Sequence, residues 1–395
     1  MNLEFYEARE ALLNLVKPQE MSTTLPLENV LGRVCAKPII CTKNLPSYDN
    51  AALDGFAFSY KENLDKLKIV ATIYAGDVIE PSLGENECYK IMTGAKVPQD
   101  ADTILAFEDA LSYNDSEVVF PKHIKKGNAF RFKGEEQKKG AVLIQKGVKL
   151  NPAHIAMLSA QGITHVSVQT TPRIVIASTG DELKEPWEDS SEDEIYNCNA
   201  YAIEALLNNY GFKTDYAGVI PDNLEKSKEF IGKLCNYDIL ITSGGISMGE
   251  ADFVKAGLDA HNFKMAFHGI NLKPGRPTMV GVMGKTLVIS LPGNPMAAYL
   301  NAFLLVVPAL LKSLGTNLSF LPTITASNET VFRCKGGRSE LVLGFYENGK
   351  FQVTRDNKYG SGMLTPLLES NALFISTTDT TLVNTGEPLD IILLP

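Results

Sequence analysis

At 395 residues the chain is too long for one small core and fits two to four domains at ~100–200 residues each. With 45% hydrophobic, 21% charged and 8% aromatic residues it can bury a sizeable core, which excludes a disordered or peptide-like protein. Lysine and arginine total 37 against 46 acids, so the net charge of −9 argues against a general nucleic-acid binder, and an anionic ligand requires a local basic pocket.

In chain order, MNLEFYEARE carries acids and a base where a signal peptide needs an apolar core, so no export signal is expected. LEFYEAREALLNLV (3–16) spaces its apolar side chains as an amphipathic helix that Pro18 closes. A helix turn, a short strand and a loop follow, kept short by Pro38 and Pro46. From about 48 to 145 the texture is β-rich, with KIVATIYAG, CYKIMTG, TILAFED and EVVFPKHI separated by glycine and polar turns. This predicts a small inserted β domain. NPAHIAMLSAQG (151–162) reads as a helix with Asn151 at the N-cap, Pro152 in the first turn and Gly162 as the stop.

After Pro172 strand and helix alternate four times: RIVIAS, AYAIEALLNNYG, DYAGVI, LEKSKEFIGKL, YDILITS, ADFVKAGLDAH, TLVISL and AAYLNAFLLVVPALL. Near-continuous apolar strands in such units predict a parallel sheet covered by helices on both faces. Within the last segment, AFLLVVPALL (302–311) is half the length of a membrane span and contains Pro308, so no transmembrane segment is expected. TITASN, ELVLGFYENGKFQVT, ALFISTT and LDIILLP return to β texture and predict a C-terminal barrel or sandwich. The acidic EPWEDSSEDE (185–194) reads as a solvated loop. Six scattered cysteines without a CxxC pair suit a reducing cytoplasm, and five histidines without HxxxH or HxH spacing give no zinc signature.

Ligands of an open parallel sheet bind beyond the carboxyl ends of its strands. Three loops occupy that place: TGDEL (179–183), GGISMGEAD (244–252) and PGNP (292–295). Gly244, Gly245 and Gly249 allow backbone N–H groups to converge on an anion ahead of a helix. Asn294 and Pro295 suit the cap and first turn of the next helix, leaving free N–H groups outward. Asp181, Glu182, Asp222, Glu250 and Asp252 would gather on the same edge, where Mg²⁺ with phosphate would reconcile their charges. NLKPGRP (271–277) presents Lys273 and Arg276 on a stiff turn near that edge. PSYDNAALDGFAF (46–58) holds Asp49 and Asp54 among small uncharged residues, and IMTGAKVPQDADTI (91–104) places Thr93 on a glycine turn.

These blocks together resemble the molybdopterin molybdenumtransferases, the MoeA proteins and the E domain of gephyrin. PSYDNAALDGFAF is similar to the family's LPxxDNSAMDGYA and IMTGAKVPQDAD to its MTGAPVPEGAD, while STGDEL, TSGGISMGEAD, KPGRP and LPGNP match its other blocks in order. The resemblance implies a multidomain α/β plus β chain: an elongated linker domain (1–45 with 146–171), an inserted β domain (46–145), a MogA-like three-layer α/β domain with a parallel-rich sheet (172–317) and a C-terminal β barrel-like domain (318–395). It implies a cytoplasmic homodimer that inserts molybdate into adenylylated molybdopterin and releases AMP with Mg²⁺. A MogA-like adenylyltransferase and apo molybdoenzymes are its implied partners, with no role for nucleic acid or membrane.

By motif the resemblance assigns catalytic roles to Asp54, Thr93, Glu182, Asp222 and Asp252, with Asp222 and Asp252 on Mg²⁺ or pyrophosphate, Glu182 orienting the ligand and Asp54 near metal insertion. Ligand binding falls to Ser243, Gly244, Gly245, Ser247, Gly249, Lys273, Arg276, Pro292, Gly293, Asn294, Pro295, Arg131, Arg338 and Ser361. Three motifs depart from the family pattern: Arg276 stands for a lysine, Phe132 for an arginine, and Asn197 with Cys198 for the Asp-Ser of a DSN motif. The alternatives are a MogA- or CinA-like nucleotide-processing enzyme and a non-catalytic molybdopterin-binding scaffold.

Overall fold

The computed structural model describes residues 2–246, 253–316 and 321–395. Its centre is a six-stranded sheet in the spatial order Thr214–Ile220, Ile174–Thr179, Ile239–Ser243, Thr286–Leu291, Met279–Met283, Phe263–His268. The first four strands run parallel, while Met279–Met283 is antiparallel to both its neighbours. The four-fold strand and helix alternation therefore misses an edge hairpin inserted before the last parallel strand, and the sheet is parallel-rich rather than all-parallel.

Alternate residues of each strand serve opposite faces. Ile174, Ile176, Ile239 and Ile241 join one core, and Val175, Ala177, Leu240 and Val288 the other. Helix Asn199–Asn209 and the apolar run Pro295–Ser313 cover the first face, together with the opening helix Phe5–Leu15 through Phe5, Ala8 and Leu12. Helices Leu224–Leu234 and Phe253–Asp259 cover the second. Each wholly buried Leu, Ile or Phe of these layers contributes ~1.5–3 kcal/mol of transfer free energy. Pro308 does not break the last helix: a π turn at Ala302–Val306 precedes it and absorbs the missing N–H. The resulting Pro295–Ser313 run is long and apolar enough to span a membrane, yet almost all of it is buried inside the protein, as a core helix is.

The segments on either side of the β insertion pair with each other. Ser22–Pro26 runs antiparallel to His165–Gln169, and Gln161 Oε1 accepts the N–H groups of Thr42 and Lys43. Helix Pro152–Ala160 has the expected cap, Asn151 accepting from the N–H of His154. The inserted segment forms a six-stranded sheet with Phe56 and Phe58 on one side and Ala57, Ile73 and Ile91 on the other. Gly55 is obligatory there, because a Cβ would lie 2.1 Å from the carbonyl oxygen of Leu105.

The C-terminal strands Thr323–Asn328, Ser339–Glu347, Lys350–Val353, Ala372–Ile375 and Pro388–Leu393 close into a five-stranded barrel, closure coming from the Ser339–Glu347 pairing with Ala372–Ile375. Leu272–Lys273 of the KPGRP loop adds a short parallel strand to Ser339–Glu340. That pairing sets the barrel beside the carboxyl edge of the central sheet.

Candidate functional site

The parallel strands end on one edge, so the turns after Thr179, Ile220, Ser243 and Leu291 share a wall, and the barrel forms the opposite one. Between them lies an open cavity of about 850 Å³. Glu182, Asp222, Ser243, Gly244, Gly245, Lys273, Arg276, Pro292, Gly293, Asn294, Pro295, Arg338 and Ser361 all line it. Ser247, Gly249, Glu250 and Asp252 lie outside the described residues.

Close backbone approach holds the floor together. Gly244 (φ +91°) donates its N–H to the carbonyl of Leu291, and a Cβ on it would sit 2.5 Å from Thr179 Oγ1. Only glycine fits this left-handed, crowded position. Asn199 joins two loops, its Nδ2 donating to Ser243 Oγ at 2.8 Å and to the Gly293 carbonyl at 2.7 Å. Sequence reasoning missed this residue, although its place just after the departing Asn197 and Cys198 was the available signal.

The helix beginning at Pro295 is not capped as the sequence suggests. The Asn294 side chain makes no cap hydrogen bond and instead donates from Nδ2 to Ser361 Oγ at 2.8 Å, while the N–H of Met296 donates to the Ser361 carbonyl at 3.1 Å. Ser361 thus occupies a helix N-terminus expected to present free N–H groups, and it ties the barrel to the sheet edge.

The two cations of KPGRP have different fates. Lys273 Nζ lies 3.0 Å from Oε1 of Glu340, whose side chain is 4% exposed. The Glu340 carboxylate also accepts from the Lys335 N–H and from Asn357 Nδ2, so Lys273 is neutralised by the barrel. Arg276 is exposed, and among the described residues neither it nor Arg338 has a carboxylate partner. The free positive charge of the cavity resides on these two arginines.

Carboxylates supply the opposing charge. Partial desolvation, then the neighbouring charges of Asp181 and Glu182, push the Asp222 carboxyl above its ordinary value. Oxygen donors in this like-charged arrangement fit a hard divalent cation, although no group of three or more ligand-type side chains gathers among the described residues.

Asp54, Thr93 and Arg131 do not line the cavity. Asp54 is exposed on the inserted sheet, where its Oδ1 accepts the Thr93 N–H at 2.6 Å and the Thr93 hydroxyl at 2.7 Å. These bonds, the backbone one foremost, hold its carboxyl below the ordinary range. Arg131 stands nearby, in the two-residue strand pairing with Asn50–Ala51, and Asp49 Oδ1 accepts the Lys133 N–H at 2.7 Å. The family motifs thus fall into two clusters, one at the sheet edge and one on the β insertion.

Three family models match in order: the MoeA N-terminal region (domains I and II) over residues 3–162, a probable molybdopterin-binding domain over 175–312, and the MoeA C-terminal region (domain IV) over 325–394. A molybdopterin molybdenumtransferase of Haemophilus influenzae is 30% identical over 98% of this chain and 97% of its own length. One from Staphylococcus epidermidis is 29% identical over 98% of this chain and 94% of its own. Among solved structures, the molybdopterin biosynthesis moeA protein of Pyrococcus horikoshii superposes with a TM-score of 0.87 at 28% identity, covering 100% of both chains. The chain belongs to the molybdopterin molybdenumtransferase (MoeA) family, transferases of molybdenum cofactor biosynthesis.

Proposed function

We propose that the chain takes adenylylated molybdopterin and molybdate as substrates, places the metal at the dithiolene and releases AMP. The observation that carries this reading is the cavity itself, where glycine loops at strand ends, two arginines without carboxylate partners among the described residues and the Asp222 group converge. Arg276 and Arg338 bind the phosphates, with the Gly245 N–H aiding from the floor, since that of Gly244 is already given to the Leu291 carbonyl. Glu182 orients the ligand. Asp222 and Asp252 would hold Mg²⁺, which when bound offsets pyrophosphate charge.

Asp54, with Thr93 and Arg131, acts at metal insertion. Because none of the three reaches the cavity of their own chain, the functional unit is a homodimer in which a second copy brings its β insertion to the cavity. The six cysteines are all free, in keeping with a reducing cytoplasm as the site of action.

The test incubates the purified protein with adenylylated molybdopterin, Mg²⁺ and molybdate, following AMP and the activation of an apo molybdoenzyme. AMP with activation supports insertion. AMP without activation makes the chain a hydrolytic relative, and tight binding with neither product makes it a carrier.

A further inference from the structure

Asn197, where the family pattern has aspartate, is 2% exposed, and both ends of its amide are engaged. Oδ1 accepts from Ser178 Oγ at 3.2 Å and from the Ala200 N–H at 3.4 Å, in the first turn of helix Asn199–Asn209. Nδ2 donates to Tyr216 Oη at 2.8 Å and to Glu185 Oε1 at 3.3 Å. Glu185 in turn accepts the hydroxyls of Tyr216 at 2.6 Å and Tyr201 at 2.7 Å. Burial and then the Glu185 bond raise Tyr201 to about 12 and push Tyr216 up as well, so both stay protonated donors.

Glu185 is the first residue of the acidic loop, and its carboxylate fills the space beside residue 197. An aspartate at 197 would set a second carboxylate oxygen against Glu185 with only the single Tyr216 hydroxyl proton to share between the two, whereas an amide donates into the Glu185 carboxylate. The backbone reinforces the pairing, since the Asn197 N–H donates to the Lys184 carbonyl at 2.8 Å. Two residues further on, Asn199 fastens Ser243 to Gly293 across the cavity floor. Through the Ala200 N–H, Asn197 holds the first turn of the helix that carries Asn199.

We propose that Glu185 and Asn197 are a matched carboxylate and amide pair that positions Asn199, and through it the two ligand-binding turns, in the transferase reaction. The pair replaces the carboxylate the family carries at 197 with one delivered from the acidic loop. The proposal rests on the cavity being the ligand site. Both members are positioning residues, so the loss on mismatching them falls on substrate KM.

The experiment compares wild type, Asn197→Asp, Glu185→Gln and the double variant Glu185→Gln/Asn197→Asp in the transfer assay and by tryptophan emission. The single tryptophan, Trp187, is two residues from Glu185 and has its ring edge-on to Tyr201 at 6.3 Å, so its emission reports the loop anchor without substrate. Asn197→Asp is expected to raise KM for the pterin substrate about tenfold with kcat within about twofold, the size of a contact-pair coupling. In the double variant the amide introduced at position 185 donates to the new carboxylate at 197, which is expected to restore KM to within about threefold and to restore the Trp187 emission. A double variant no better than Asn197→Asp, or an Asn197→Asp protein with wild-type KM, overturns the proposal. Where Asn197→Asp does not fold, Glu185→Ala decides instead: raised KM with altered emission supports the pair, and unchanged values overturn it. Absence of transfer by wild type refutes the function reading alone, because the emission arm still judges the pair.

Discussion

Replacing Glu340 by glutamine tests whether the barrel and the KPGRP loop are joined by charge. The carboxylate is nearly inaccessible and receives Lys273 Nζ at 3.0 Å, the Lys335 N–H at 3.1 Å and Asn357 Nδ2 at 3.2 Å. Glutamine keeps the volume but turns one acceptor into a donor; with the amide nitrogen in the Oε2 place, the less costly rotamer, Asn357 Nδ2 loses its partner, whereas the other rotamer would orphan both Lys273 and the Lys335 N–H. A buried hydrogen bond to a charged group is worth ~1.5–3 kcal/mol, and the orphaned donor adds desolvation cost, giving a loss of ~2–3 kcal/mol for Glu340→Gln. Lys273 is 38% exposed, so water screens its share, and the pairwise coupling is ~1 kcal/mol.

A multidomain chain does not unfold in one step, so the measurement is hydrogen exchange of the barrel strands 339–347 and 388–393 in the intact protein. A cycle of Lys273→Met, Glu340→Gln and the double variant isolates the pair. The double variant should be less destabilised than the two singles added together, by ~1 kcal/mol. A coupling below ~0.3 kcal/mol would refute the idea that this ion pair joins the two units.

Because Lys273 is already paired, Arg276→Ala should weaken binding of AMP or inorganic phosphate about tenfold, and Lys273→Met by less, in titrations at two ionic strengths. Asp54→Ala is expected to retain nucleotide-pterin binding and lose metal insertion, since Asp54 does not line the cavity; normal insertion by that variant removes its assigned role. Thr93→Ala should raise the Asp54 carboxyl toward its ordinary value in a carboxyl NMR titration. The Asp54 pKa is depressed in the folded protein, so its contribution to stability is present above the unfolded carboxylate value of about 3.9 and is lost as pH falls through the lower folded value.

Local pattern is enough to read the elements whose causes are local. The cap at Asn151 needs only His154 three residues on, and the sheet strands show as apolar runs because helices cover both faces. Phe263–His268 is an edge strand with Lys264, Met265 and Ala266 exposed, so it lacks the apolar run that marks its neighbours and does not stand out in the sequence. The opening helix shows its amphipathic face in the sequence, but the surface it covers, including strand Met279–Met283 and helix Val307–Ser313, lies more than 260 residues away.

The site divides along the same line. Which loops reach the cavity follows from strand direction, and strand direction follows from the alternation of strand and helix, so the glycine turns can be placed from the sequence alone. What each side chain does on arrival depends on partners the motif does not contain. Asn294 meets Ser361, 67 positions on, and so does not cap its helix. Lys273 and Arg276 are three residues apart in one motif and carry the same formal charge, yet Glu340 takes the first and leaves the second to the ligand. A motif therefore identifies the groups that face the cavity, while the charge they offer there is set by the domain packed against them.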